Sequence, residues 1–226
     1  MGFGIEAVRS AKTVFGVLYM KHIALVLFIG LVLSLCNLSE RFKKSSSTSS
    51  NSGSSVSENE ASPERAQPTA AQSAAIAGGQ EAKWDRQGMS WTVPAGWTET
   101  TNEARSFVWR APGSGAASLI VSISAMDEDF PVDISIKAYF DQAKSRAKNG
   151  EIDELKWIEI DGLKGVQFRE AVPEKPDGHR RLQWLAYRKY TGQVQMLNLM
   201  LASEGKDFER HQDAMYGILY SSKIAH

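Results

Sequence analysis

Residues Ile23 to Leu38 read IALVLFIGLVLSLCNL, an almost unbroken apolar run that contains the chain's only cysteine, Cys36. Such a run must leave water. As a helix it is about 24 Å long, which falls short of the roughly 30 Å hydrocarbon core of a bilayer. Extending it upstream through Val14 to Met20 encloses Lys21 and His22. A lysine inside a spanning helix costs roughly 2.5–3.5 kcal/mol on insertion scales. The run therefore reads in two ways, and both hold the chain at a membrane.

The first reading is an uncleaved transmembrane helix. The second starts at Met20, giving MKHIALVLFIGLVLSLC: a short basic head, an apolar segment and then cysteine. That layout is a secretory signal and resembles a bacterial lipoprotein signal, with Cys36 as the lipidated residue. Leu35 departs from the small residue usual before such a cysteine. Arg9, Lys12 and Lys21 precede the run and Arg41, Lys43 and Lys44 come after it, so charge does not orient a spanning helix. The lipoprotein reading places the remainder of the chain outside the cytoplasm.

The run divides the chain. Residues 1–22 form an N-terminal extension or signal head, and 23–38 the anchor. Residues 39–83 are rich in Ser, Ala, Asn, Glu, Gln and Pro and read as a disordered linker, because so little apolar surface cannot offset the entropy of ordering. The Ala-rich stretch Thr69 to Ala77 is counted with it. Residues 84–226 are long enough for one domain with a sizeable core. The chain's 26 Lys and Arg balance its 26 Asp and Glu, so no broad basic field favours nucleic acid.

Within 84–226 the pattern is strands, helix, strands, helix. Met89 to Val93, Ser106 to Arg110 and Ser118 to Ser124 alternate as strands. A helix over Ile134 to Lys148 turns Ile136, Tyr139, Phe140, Ala143 and Ala147 to one side, with Asp133 as its cap. Asp161-Gly162 joins Trp157 to Ile160 with Leu163 to Ala171 as a hairpin. Leu182 to Tyr190 pairs with Val194 to Ala202. The latter, VQMLNLMLA, is apolar on both sides and reads as a central strand covered on both faces. A last helix from Phe208 to Ser222, capped by Asp207, turns Phe208, Met215, Ile218 and Leu219 inward. The fold class is α+β: a mainly antiparallel sheet flanked by helices.

Short segments carry a resemblance. MSWTVPAGW opens the domain, AYFDQAK lies in the central helix, WIEIDGLKGVQF forms the hairpin, LQWLAYRKY and VQMLNLMLA pair, and ILYSSKI ends the last helix. Together they resemble the PsbP-like superfamily, and within it the DcrB-type periplasmic lipoproteins of bacteria. The resemblance implies an α/β/α sandwich and a non-enzymatic accessory or binding role beside membrane complexes. It transfers no active-site residue.

The chemistry-bearing residues form no constellation. His22, His179, His211 and His226 lack metal-ligand spacing. Asp127, Glu128, Asp129 and Asp133 lack the spaced pattern of a calcium loop and read as carboxylates favouring a helix N-terminus. No G-x-S-x-G, P-loop or G-x-G-x-x-G occurs, so neither a cofactor nor a catalytic set is assigned. The most exposed-looking charged feature is the turn Pro176-Asp177-Gly178 followed by His179, Arg180 and Arg181, a candidate contact patch for a protein partner or for lipid headgroups.

The leading reading is a membrane-tethered, extracytoplasmic, non-enzymatic module that supports an unidentified envelope component. The alternative is a small-ligand carrier or sensor with a Trp- and Tyr-lined pocket between sheet and helix. An enzyme is the third reading, and it would need polar groups converging in a cleft.

Overall fold

Left-handed backbone positions decide how the strands pair. Asp161 and Gly162 have φ of 48° and 84°, and Thr191 and Gly192 have 50° and 76°. Two consecutive positive φ angles make the two-residue turn whose twist suits a hairpin. The computed structural model describes residues 55–226 except Ser114. The apolar run 23–38, Cys36 and the first part of the expected linker lie outside the described residues.

In chain order the elements are β1 (Ser55–Ser57), β2 (Glu64–Arg65), α1 (Ala70–Ile76), β3 (Gln80–Trp84), β4 (Met89–Val93), β5 (Thr98–Asn102), β6 (Ser106–Arg110), β7 (Ser118–Met126), α2 (Val132–Lys148), β8 (Ile152–Ile160), β9 (Leu163–Glu170), β10 (His179–Tyr190), β11 (Gln193–Glu204), α3 (Gly205–Tyr220) and β12 (Lys223–Ile224). The main sheet runs β8-β9-β10-β11-β7-β6-β5, antiparallel throughout. β1 and β2 lie one after the other along the outer edge of β8, parallel to it. β12, β4 and β3 form a second, three-stranded sheet.

Each face of the main sheet is covered differently. On one face α2 packs over β8, β9 and β10. Its buried stripe is Ile136, Phe140, Ala143 and Ala147, and Phe140 stacks on Trp157 with ring centroids 4.8 Å apart. The opposite face carries α3, α1 and the small sheet. There Leu182, Trp184, Leu199, Leu201, Val121 and Phe107 meet Phe208, Met215, Ile218 and Leu219 in one buried cluster. Phe107 lies between Trp84 and Trp91, 5.5 Å from each ring. Burial of each such aromatic side chain contributes about 1.5–3 kcal/mol.

Four expectations change. The sandwich is mixed: the layer opposite α2 contains a three-stranded sheet as well as helices. Residues 55–83, expected as the second half of a disordered linker, are built into the domain. α1 has a capping box, in which Thr69 Oγ1 accepts from Gln72 N and Gln72 Oε1 accepts from Thr69 N. It seats against α3 at Gly217, where a Cβ would stand 2.6 Å from the Gln72 carbonyl oxygen. Composition alone hides this, because alanines next to glycine bury backbone rather than bulky side chains.

The helix caps also move. α2 begins at Val132 after Pro131, and α3 at Gly205 after Glu204; neither has a side-chain cap. Asp133 and Asp207 lie in the first turns, where their charge still favours the helix dipole. Finally, β11 is central but not covered on both faces. Met196, Asn198 and Met200 alternate with the buried Leu197, Leu199 and Leu201 and remain half-buried.

Candidate functional site

That half-buried face of β11 is the floor of a groove. α2 spans only β8 to β10, so the same face of β11, β7, β6 and β5 stays open. Register places Met200 opposite Ile120, Ile120 opposite Val108, and Ser118 opposite Arg110. The groove has a volume of about 900 Å³. Met200 and Ile120 supply its apolar floor, Thr98, Thr100 and Arg110 one wall, and Glu170, His179 and Arg181 the other.

The second wall is held by charge. Arg181 donates to both oxygens of Glu170, at 2.8 Å through Nε and more closely through Nη2. Arg146 of α2 donates to the same carboxylate at 3.1 Å and lies over the Phe168 ring at 5.4 Å. The hydrogen bond to Glu170 raises the Arg181 pKa against the effect of burial. Gln183 donates to Asn198 Oδ1 at 2.7 Å and to the Tyr139 hydroxyl at 3.3 Å, which ties α2 to the floor. Burial pushes the Tyr139 hydroxyl up, so it stays protonated at neutral pH. On the first wall Arg110 is exposed and reaches Ser118 Oγ at 3.4 Å. The groove thus combines a sulfur-and-aliphatic floor with guanidinium donors at both sides.

The contact patch His179, Arg180 and Arg181 is split by strand alternation. β10 starts at His179, so neighbouring side chains take opposite faces. His179 is exposed and, with Arg181, belongs to the groove. Arg180 does not: its side chain is 3 % exposed beneath α3. It donates to Asp153 at 2.5 Å, to Glu209 at 2.6 Å and to the Glu170 carbonyl at 2.8 Å, and its guanidinium lies 4.5 Å from the centre of Phe208. Arg180 is therefore a clamp between strand and helix rather than a contact residue.

The clamp belongs to a polar layer that sequence spacing did not reveal. Arg169 donates to Asp153 at 2.7 Å and to Gln212 at 3.2 Å. Gln167 and Tyr216 donate to Glu154 at 2.7 and 2.5 Å, and Tyr220 donates to Gln167 at 3.1 Å. Burial, and then the negative charge of Glu154, push the Tyr216 hydroxyl far above its ordinary range. The readable signal was polar residues at the strand positions that would otherwise face α3. At the other end of β10, Arg188 is buried with neutral partners: Gln195, Gln87 and the Ala225 carbonyl. Desolvation lowers its pKa to about 10.

The tryptophans are core. Trp84, Trp91, Trp97, Trp157 and Trp184 are buried and Trp109 packs against the same cluster. The two interfaces where a carrier pocket was expected are filled by these rings and their neighbours. Among the described residues no group of three or more His, Cys, Asp and Glu is placed to hold a metal ion. No helix among them is long and apolar enough to cross a membrane.

No protein-family model matches the chain. No curated protein matches it by sequence. Solved structures do. LpqN of Mycobacterium tuberculosis, described as involved in cell envelope biogenesis, aligns at 12% identity and a TM-score of 0.47, over 66% of this chain and 86% of its own. The cyanobacterial PsbP of Synechocystis aligns at 15% and 0.42, over 65% and 92%. The Ran-binding protein Mog1p of Saccharomyces cerevisiae aligns at 10% and 0.38, over 65% and 95%. A PsbP is among these structures and no DcrB-type protein is. At TM-scores below 0.5 these likenesses transfer neither a function nor a site.

Proposed function

We propose that this chain is a membrane-tethered, extracytoplasmic binding module that supports another envelope component without chemistry of its own. The observation that carries the binding role is the groove over β11, β7 and β6. A central strand that is apolar on both faces is left half-uncovered on one of them, flanked by Arg110 on one side and the Arg181–Glu170 pair on the other. Half-exposed Met200 beside Ile120 suits a surface that must adapt to a partner. The tether rests on the apolar run 23–38 and Cys36. The envelope setting rests on the lipoprotein-like signal.

The test places a photo-crosslinking residue at Met200 or His179 in cells, with Lys83 on the far side as control. The expected result is a discrete adduct from the groove positions that Lys83 does not give. Equal labelling at all three positions would remove the groove from the proposal. Intact mass of the mature chain decides the tether: a diacylglyceryl adduct lost in Cys36→Ala marks a lipoprotein, and an unmodified Cys36 in a chain that retains its apolar run marks a helix.

A further inference from the structure

The outer edge of β8 is occupied by the chain's own segment 55–65, and it is held there weakly. Three residues of β1 pair with Glu154, Leu155 and Lys156, and two of β2 pair with Ile158 and Glu159. The side chains of both strands are small or exposed, and Val56 is 37% exposed. Such short ladders bury almost no apolar surface. What holds the segment instead is a set of ion pairs: Arg65 meets Glu159 of β8 at 3.4 Å, and the others are acid–lysine contacts. Glu58 meets Lys144 at 2.7 Å, Glu60 meets Lys164 at 3.4 Å and Lys137 at 3.9 Å, and Glu64 meets Lys156 at 3.5 Å. Lys137 and Lys144 come from α2, Lys156 from β8 and Lys164 from β9. Partly exposed pairs of this kind contribute little each and weaken with salt.

We infer that the β8 edge is a docking site for an acidic, extended segment of a partner protein, which displaces residues 55–65. An uncovered edge strand offers unpaired N–H and C=O groups to any strand that reaches it, and strand addition is a recurring way to bind a peptide. The lysines give that edge a preference for carboxylates. The resident segment shows the fit: an extended main chain with Glu side chains reaching the lysines around the edge. Its Ser55, Ser57 and Asn59 are small polar side chains that bring no apolar surface to the edge. A second copy's identical segment has no advantage, because the resident one is present at high effective concentration. A segment with larger apolar residues at those positions does. This surface goes beyond the groove, since β8 and β5 are opposite ends of the main sheet.

The experiment uses the full chain in detergent micelles and a fluorescein-labelled peptide of residues 55–66. The triple variant Glu58→Lys, Glu60→Lys and Glu64→Lys frees the edge. It should bind the peptide at least about tenfold more tightly than the unmodified chain does, where the resident segment competes. Binding should fall at high salt, and the β8 amides should regain protection from hydrogen exchange, while those of β10 and β11 stay protected throughout. A peptide of the same charge with proline at alternate positions should not bind. The inference is overturned if the freed edge takes up no peptide, or takes the proline peptide equally well. It is also overturned if the freed chain instead binds phosphatidylglycerol vesicles or dimerises by exchanging segments. Resident-segment amides as protected as those of β10 in the unmodified chain would overturn it too.

Discussion

The two halves of the α2-side face obey the same strand periodicity and end differently. Over β8, β9 and β10 the face carries Leu155, Trp157, Val166 and Phe168, and α2 closes it with Ile136 and Phe140. Over β11, β7 and β6 it carries Met196, Met200, Ile120, Val108, Ser118, Ser122 and Arg110, and nothing in the described residues closes it. Rigid rings fill the half that is sealed. Methionine, serine and arginine line the half that is open. A sheet seven antiparallel strands wide outruns a single helix of seventeen residues, so the open half follows from the geometry of the layers, and its side chains fit exposure. Alternation sharpens the contrast within one strand: Arg180 is sealed under α3, and Arg181 stands in the wall of the groove.

The largest expected effect is on the sealed half. Phe140→Ala should cost about 3–5 kcal/mol in chemical denaturation, from lost burial and the cavity beside Trp157. Met200→Ala should cost less than half of that, because Met200 is already half-exposed, while reducing crosslinking in the groove. Equal losses at the two sites would break the distinction between sealed and open halves.

The paired arginines come next. Arg180→Ala removes the buried guanidinium that joins Asp153, Glu209 and the face of Phe208, leaving Asp153 with Arg169 alone, and should cost about 3 kcal/mol. Arg181→Ala should cost no more than about 1 kcal/mol, since its guanidinium is partly exposed and Arg146 still holds Glu170. Denaturation curves in which the two variants match would show that the clamp is not special.

At the α1–α3 contact, Gly217→Ala puts a methyl against the Gln72 carbonyl and should cost about 1–3 kcal/mol by overpacking. Hydrogen exchange should rise in 70–76 while the β9–β10 amides hold. No change in α1 would mean that the helix yields without cost.

The smallest effect is alkaline. Tyr216 ionises more readily in the unfolded chain than in the folded one, where burial and Glu154 oppose the phenolate. The unfolded state therefore binds fewer protons above pH ~10, and stability falls as pH rises past that point. Tyr216→Phe should flatten this limb of a stability–pH curve; an unchanged slope would assign it to other tyrosines.

Seven of the strands and both long helices were legible along the chain before the tertiary structure, and for local reasons. Asp161-Gly162 names its own turn, and the stripes Ile136, Phe140, Ala143 and Phe208, Met215, Leu219 name their own faces. β5 was missed because Thr98 to Asn102 is a polar edge strand with a register shift and has no alternation to read. α1 was counted as linker although Thr69 and Gln72 spell a capping box, because apart from Ile76 it brings mainly backbone against Gly217. The site was half-legible. His179 and Arg181 were singled out from their place after a turn, but Met200 was read as covered core and Ile120 was not singled out.

By itself the sequence determined the hairpin turns and which stripe of each helix turns inward. Hydrophobic period and turn chemistry are local and survive without knowledge of the neighbours. Only the tertiary structure decided where β10 begins, and hence that Arg180 faces α3 while Arg181 faces the groove. It alone decided that α2 stops at β10 and leaves β11 open, and that residues 55–65 lie along β8. These depend on how far one layer extends over another, which no run of neighbouring residues encodes.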